Sequence, residues 1–283
     1  MSRLPLIWRV FLSTSLVTTL LFGGIGYLVQ THFARTSELM LEEELRSSFR
    51  AYETLWKSRS ELLASISRVM SGMPNVRAAF STGDRATIED TAGELWARVS
   101  QADAAFLVTD PDGDIIASLS NRLPSAVRRI EAVTAAAPSF PRQSSGYSFL
   151  GDQLWHVVVT PVFVDSSREP ALINVLVAGY PVDDNLAETV RGLTNGSDAV
   201  ITVRGKVVAS TLPRDKASAL AQVSIRPGEL DQADSGSEKW SILGTALNDV
   251  NGQSIGDLRI LRPLTPALQR FTDPRLEIAG MWA

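Results

Sequence analysis

A chain of 283 residues can hold two domains of ordinary size, and with 45% hydrophobic and 20% charged residues it is neither disordered nor a polytopic membrane protein. A net charge of -4 gives no nucleic-acid footprint. The absence of cysteine excludes disulfides, thiolate metal sites and cysteine nucleophiles, and two histidines, His32 and His156, are too few for a histidine-rich metal centre.

Val10 to Val29 carries no charge over roughly 20 residues, the length a helix needs to cross a hydrocarbon core. Arg3 and Arg9 precede it and Glu42-Glu43-Glu44 follow. The positive-inside rule therefore puts residues 1–9 in the cytoplasm and everything after about residue 30 outside. A cleaved signal peptide competes with an anchor, with Gly24-Ile25-Gly26 as its small-x-small site. The apolar run nevertheless continues through Tyr27-Leu28-Val29 with no Ala-x-Ala after it, which favours an uncleaved span over 10–29.

From Ser37 to Ser71 the apolar positions Leu41, Leu45, Phe49, Tyr52, Trp56, Leu63, Ile66 and Met70 step mostly by three or four, with Arg59 interrupting the stripe. Gly72 and Pro74 end it. This predicts one long amphipathic helix, over 30–72 as a stalk, continuous or nearly so with the span. Its stripe can pack on its own domain or on a second copy of the chain. The module's other elements begin only after Pro74, so the stripe from Leu41 to Trp56 is expected to be covered by a partner, giving a homodimer through the stalk.

Asp84 is a candidate N-cap for a shorter helix with Ile88, Ala92, Leu95, Trp96 and Val99 inward. Phe106–Thr109 and Ile115–Ser118 then read as two strands joined by Asp110-Pro111-Asp112-Gly113, a turn in which Pro presets φ and Asp-Gly tolerates the left-handed region. A short helix around Val127–Val133 ends at Ala135–Pro138. A second hairpin pairs Gly146–Leu150 with Gln153–Thr160 across Gly151-Asp152, and Ala171–Tyr180 is apolar enough for a central strand. This order makes a five-stranded antiparallel sheet with helices packed on it.

The order then repeats. Asn185-x-x-Glu188 is a capping box for a helix through Leu193, broken at Asn195-Gly196. The hairpin phrase returns about 95 residues on, in Asp198–Ser210, with Asp103-Ala104-Ala105 matched to Asp198-Ala199-Val200 and Ala-Ser closing both copies. A polar connection over Pro227–Ser237 leads to strands Lys239–Leu247 and Ser254–Leu264, joined across Asn251-Gly252. Pro263–Arg275 resumes helical spacing. Leu276–Ala283 reads either as the opening of a second span or as a short buried helix.

The fold class is thus α+β: an N-terminal transmembrane helix, a stalk helix, two tandem modules with antiparallel sheets, and the start of a second span. Val108–Ser118, Ala178–Ala187, the passage from Leu193–Gly196 into Gly205–Pro213, and Gly256–Leu264 together resemble the double Cache (PAS-like) sensor regions of bacterial transmembrane receptors, over nearly the whole chain. The resemblance implies a membrane-distal module over 73–182, a membrane-proximal one over 183–264 and an exit helix over 265–283. It implies a ligand-sensing role outside the inner membrane, with a kinase, cyclase, cyclic-dinucleotide or chemotaxis output beyond the second span and no catalysis in this region. A membrane-anchored binding module with no cytoplasmic output is the alternative. The Arg-x-Trp-Tyr signature of the family's amino-acid sensors is absent, which argues against an amino-acid ligand without naming another.

The chemistry of the residues adds little to this. There is no phosphate-binding Gly loop and no HExxH or G-x-S-x-G motif. Asp110, Asp112 and Asp114 lack the Gly position and closing Glu of a calcium loop, so they are a turn. No cofactor, metal or nucleic-acid partner is expected. A small-molecule site is expected on the larger module, with Tyr147, Trp155, Tyr180 and Arg142 as candidate contacts and His156 beside them. Because Trp155 and His156 are adjacent on one strand they face opposite sides, and one pocket can take only one of them.

Overall fold

The computed structural model describes residues 6–99, 104–119, 127–164, 169–194, 196–236 and 238–264, and in helix α1 the side chains of Ser15–Phe22, Gly24 and everything from Glu42. α1 runs unbroken from Leu6 to Gly72. Most of the Val10–Val29 span has side chains outside the described residues, but Leu16, Val17, Leu20, Leu21 and Phe22 within it are exposed. Among the described residues no helix is long and apolar enough to cross a membrane. The segment proposed as an exit helix and second span also lies outside them.

Leu45–Arg262 forms one compact unit. Its two sheets share a strand order. The first is β2-β1-β5-β4-β3, built from β1 (Ala105–Thr109), β2 (Ile115–Ser118), β3 (Ser144–Leu150), β4 (Gln153–Val164) and β5 (Ala171–Pro181). The second is β7-β6-β10-β9-β8, built from β6 (Asp198–Val203), β7 (Lys206–Ser210), β8 (Leu230–Ser235), β9 (Glu238–Asn248) and β10 (Ser254–Pro263). The repeated hairpins occupy the same sheet position and carry a register irregularity at the same place, Val108/Thr109 in one and Ile201/Thr202 in the other. Ala117 pairs with Val108 and Ala209 with Ile201. Phe106 is therefore equivalent to Ala199 and Ala105 to Asp198, so matching Ala105 to Val200 is two residues out of register, while Asp103 lies outside the described residues. The Ala-Ser pairs, held by the ladder, are the reliable markers.

Both faces of the first sheet are covered, which is why β4 and β5 are almost continuously apolar. With the alternation of a strand, Phe106, Val108, Val158, Leu176 and Tyr180 face α1, α2 (Pro74–Ser81) and α3 (Arg85–Val99). Leu107, Trp155, Val157, Val159 and Val177 face α4 (Glu131–Ala136) on the other side. Asp84 caps α3 as expected, accepting hydrogen bonds from the Thr87 N–H at 2.9 Å and the Thr87 hydroxyl at 2.6 Å. In the second sheet Trp240, Ile242, Val200 and Leu261 pack with Leu220 of α6 (Arg214–Ala221).

Several expectations are corrected. The stripe of α1 needs no partner at Leu45 or Tyr52. Both are buried within the chain, Tyr52 with its hydroxyl against that of Tyr147 in the first module, and Ser48 between them reaches the second. The Ser48 hydroxyl donates to the Thr194 carbonyl at 3.1 Å and meets the Ser197 hydroxyl at 3.0 Å. Leu41 lies outside the described side chains. The cap of α5 (Asp184–Leu193) is Asp183, whose carboxylate accepts from the Leu186 N–H at 2.9 Å, and not Asn185 two residues later. α4 starts only at Glu131, because Arg129 is held extended in a bridge to Asp114. The polar connection contains edge strand β8, whose alternate residues face solvent, and α2 and α6 are short helices whose apolar faces form only against the sheets.

Candidate functional site

Three polar-capable rings line up across the first sheet. Tyr147 on β3 pairs directly with His156 on β4, and His156 pairs with Tyr180 on β5, so all three sit on the face towards α1. Opposite them, Tyr52, Trp56 and Arg59 recur at helical spacing. Trp56 is parallel to Tyr147 (centroids 5.6 Å apart, 5° between planes) and to Tyr52 (6.0 Å, 14°), and meets His156 edge-on at 4.9 Å. The Tyr52 and Tyr147 hydroxyls are 3.0 Å apart. The Arg59 guanidinium lies 5.1 Å from the centre of the Tyr180 ring, a cation–π contact.

These rings border a cleft of about 570 Å³. α1 supplies one wall, Ser145–Tyr147 and His156 a second, and Thr245–Asn248 of β9 a third, so both modules contribute. Glu53, Lys57 and Glu61 stand on the α1 side. A smaller pocket of about 140 Å³ opens at Arg59 and Tyr180, against Asp183, Asn185 and Thr189 of α5 and its cap. The modules meet closely beside the cleft. Tyr147 bridges Asp249 in the β9–β10 turn, and a side chain at Gly146 would touch the backbone of Asp249.

The titratable groups of the stack are neutral at ordinary pH. Burial pushes the Tyr52 hydroxyl up to about 12, opposed by its hydrogen bond to Tyr147 and assisted by nearby Glu53. Burial, and Tyr52 itself, raise Tyr147 well above the usual phenol range. The Trp56 N–H is near enough to the Tyr147 oxygen to oppose this weakly, without the geometry of a hydrogen bond. Burial lowers His156 to about 4. Among the described residues no three His, Asp or Glu are grouped to hold a metal. The Asp110 carboxylate accepts from the Asp112 and Asp114 N–H groups, and Asp249 does the same for Asn251 and Gln253, so both are turn-forming residues.

Of the candidate contacts, Tyr147 borders the large cleft and Tyr180 the small pocket. Trp155 is fully buried on the opposite face of the sheet, among Val157, Val159 and α4. Arg142 is exposed and borders neither. Tyr52, Trp56, Arg59 and the β9 wall were not anticipated. The available signal was the α1 stripe, where a charge at Arg59 and two rings with polar atoms replace plain aliphatic residues.

Two like five-stranded sheets in tandem, sharing one long helix and an aromatic cleft, define a two-module sensory region. The chain belongs to the double Cache family described as the double sensory domain of two-component sensor kinases, which it matches over residues 38–268. No curated protein matches it. It is similar in fold to the periplasmic domain of LuxQ from Vibrio cholerae, at 13% identity and a TM-score of 0.54, covering 77% of this chain and 98% of that one. It is also similar to a domain of a sensory box/GGDEF family protein from Vibrio parahaemolyticus (14%, TM-score 0.52, 80% and 95%). A third is the ligand-binding domain of the Campylobacter jejuni chemoreceptor Tlp3 with 4-methylisoleucine (12%, 0.50, 80% and 90%).

Proposed function

We propose that this chain is the extracytoplasmic, small-molecule-sensing region of a membrane-bound bacterial signal-transduction receptor, with modules over 73–182 and 183–264. The observation that carries the reading is the cleft itself, where one helix and both modules supply walls to a single aromatic-lined space. A ligand there has differential contact with two arrangements of the modules, which is what a sensor requires. The family description favours a kinase as the output, and the uncharged stretch Val10–Val29 in α1 supports an inner-membrane anchor with residues after about 30 outside. A reporter active only outside the cytoplasm, fused after Thr31, is expected to be active. Activity from a cytoplasm-only reporter at that junction defeats the localisation and the sensing role with it.

Self-association through α1 draws its support from exposed Leu62 and Val69 rather than from Leu45 and Tyr52. Single cysteines placed at these two positions in the cysteine-free chain are expected to cross-link in membranes. Monomers throughout would remove the dimer from the proposal.

A further inference from the structure

The cleft beside α1 also restricts the kind of molecule it can hold. Its flat surfaces are the rings of Tyr52, Trp56 and Tyr147, which suit a planar apolar group. Two of its polar groups are without hydrogen-bond partners among the described residues. The Trp56 Nε1 is a buried donor with none. His156 is 6% exposed, lines the cleft, and makes only ring contacts, so both nitrogens of its neutral imidazole are without a hydrogen bond among the described residues. Buried polar groups are ordinarily satisfied, and a wholly apolar ligand would leave the Trp56 N–H as it is.

Charge narrows the choice further. Lys57 is the one cation lining the cleft among the described residues, and it lies 3.9 Å from Glu61 in an exposed i,i+4 pair. Glu53 has no ion-pair partner among the described residues. An anion placed against the rings would therefore meet two carboxylates, an uncharged histidine and the single ammonium of Lys57, which already lies against Glu61. A cation would find the Glu53 carboxylate at one end and the negative faces of the aromatic rings beneath it.

We infer that this cleft binds a small organic cation built on a planar ring, an aryl or heteroaryl amine, whose ring lies along the Tyr52–Trp56–Tyr147 stack and whose ammonium faces Glu53. The inference rests on the sensing role proposed above and adds the chemistry of the ligand and its place between the modules. Acceptor atoms on the ligand's ring would take the Trp56 N–H, and His156 can donate or accept as the ligand requires.

The test uses three indoles that share a ring and differ in charge: tryptamine, the neutral alcohol tryptophol, and indole-3-acetate. Each is titrated calorimetrically into the full chain in lipid nanodiscs. Tryptamine is expected to bind about tenfold more tightly than tryptophol, the weight of one charge-assisted contact, and indole-3-acetate least tightly. Glu53→Gln, at an exposed position with no partner to lose, is expected to abolish the difference between tryptamine and tryptophol while leaving the melting temperature unchanged. Trp56→Leu, which removes the central ring of the stack, is expected to weaken tryptamine and tryptophol alike, several-fold. Failure of tryptamine to bind, equal binding of the acetate, or indifference to Glu53→Gln overturns the inference. The sensing role has a separate readout, a thermal-shift screen of a metabolite library. A hit that shifts wild type and Glu53→Gln equally leaves sensing intact and removes the amine site, whereas no hit of any kind counts against both.

Discussion

Gly146→Ala tests how the two modules are joined. In the wild type β3 runs so close to the β9–β10 turn that a Cβ at residue 146 would lie 2.3 Å from the Asp249 carbonyl carbon, 2.4 Å from its oxygen and 2.5 Å from the Val250 nitrogen. These are backbone atoms on both sides, and no rotamer change relieves the clash. Ordinary contact begins near 3.4 Å, so the modules must part locally by about 1 Å, taking the Tyr147–Asp249 bridge with them. Overpacking of this kind costs about 1–3 kcal/mol. A unit of this size loses about 2–4 °C per kcal/mol, so a drop on the order of 5 °C is expected. The assay is thermal unfolding of the full chain in nanodiscs, with Gly192→Ala as control. Gly192 lies in α5 with nothing within 4 Å of its would-be Cβ, and alanine there should be neutral or stabilising by up to about 1 kcal/mol. If Gly146→Ala melts within a degree of wild type, the close approach of the modules is not real and the cleft loses its third wall.

The remaining predictions concern single groups. His156 titrates near 4 when folded and near 6.5 when unfolded, so the unfolded chain binds the extra proton between those values. Its contribution to stability is therefore constant above pH 6.5 and lost as the pH falls towards 4, by about 3 kcal/mol, and a His156→Phe variant should show a correspondingly shallower acid limb in urea unfolding. Arg259 is 4% exposed, bound to Asp257 at 2.6 Å and donating to the Leu220 and Val223 carbonyls at the end of α6. Arg259→Met orphans all three and should cost about 3 kcal/mol by chemical denaturation, a loss near zero meaning that water reaches the site. Asp183→Ala should cost about 1 kcal/mol through the lost cap while Asn185→Ala costs little. The reverse order would restore Asn185 as the cap of α5.

The features legible in the sequence are those that local physics sets. Asp110–Gly113 makes a turn wherever it stands, because Asp110 hydrogen-bonds its own backbone and Gly113 takes a φ of +93°. Ala171–Pro181 is apolar on both faces and could only be a covered central strand. The repeat of the hairpin gave the tandem arrangement, and the opposed faces of Trp155 and His156 followed from strand alternation alone. Short elements were hidden. α2, α6 and β8 are six to eight residues long, too short for a periodic signal, and their apolar faces have meaning only against the sheet that covers them. The alignment of Ala105 with Val200 failed because identity of a residue is weaker than the ladder that holds Ala117 and Ala209 in place.

The cleft was legible only on its β3–β4 side, at Tyr147 and His156, for a reason of distance along the chain. Its walls come from residues 52–61, 145–147, 156 and 245–248, and no local pattern connects segments separated by some 190 residues. Nor could the sequence say what covers the α1 helix, since Ser48 bonds to a module that begins more than a hundred residues later. Amphipathic spacing determines that a helix has a face to bury. Only the tertiary structure decides which surface buries it, because that depends on where the chain returns in space.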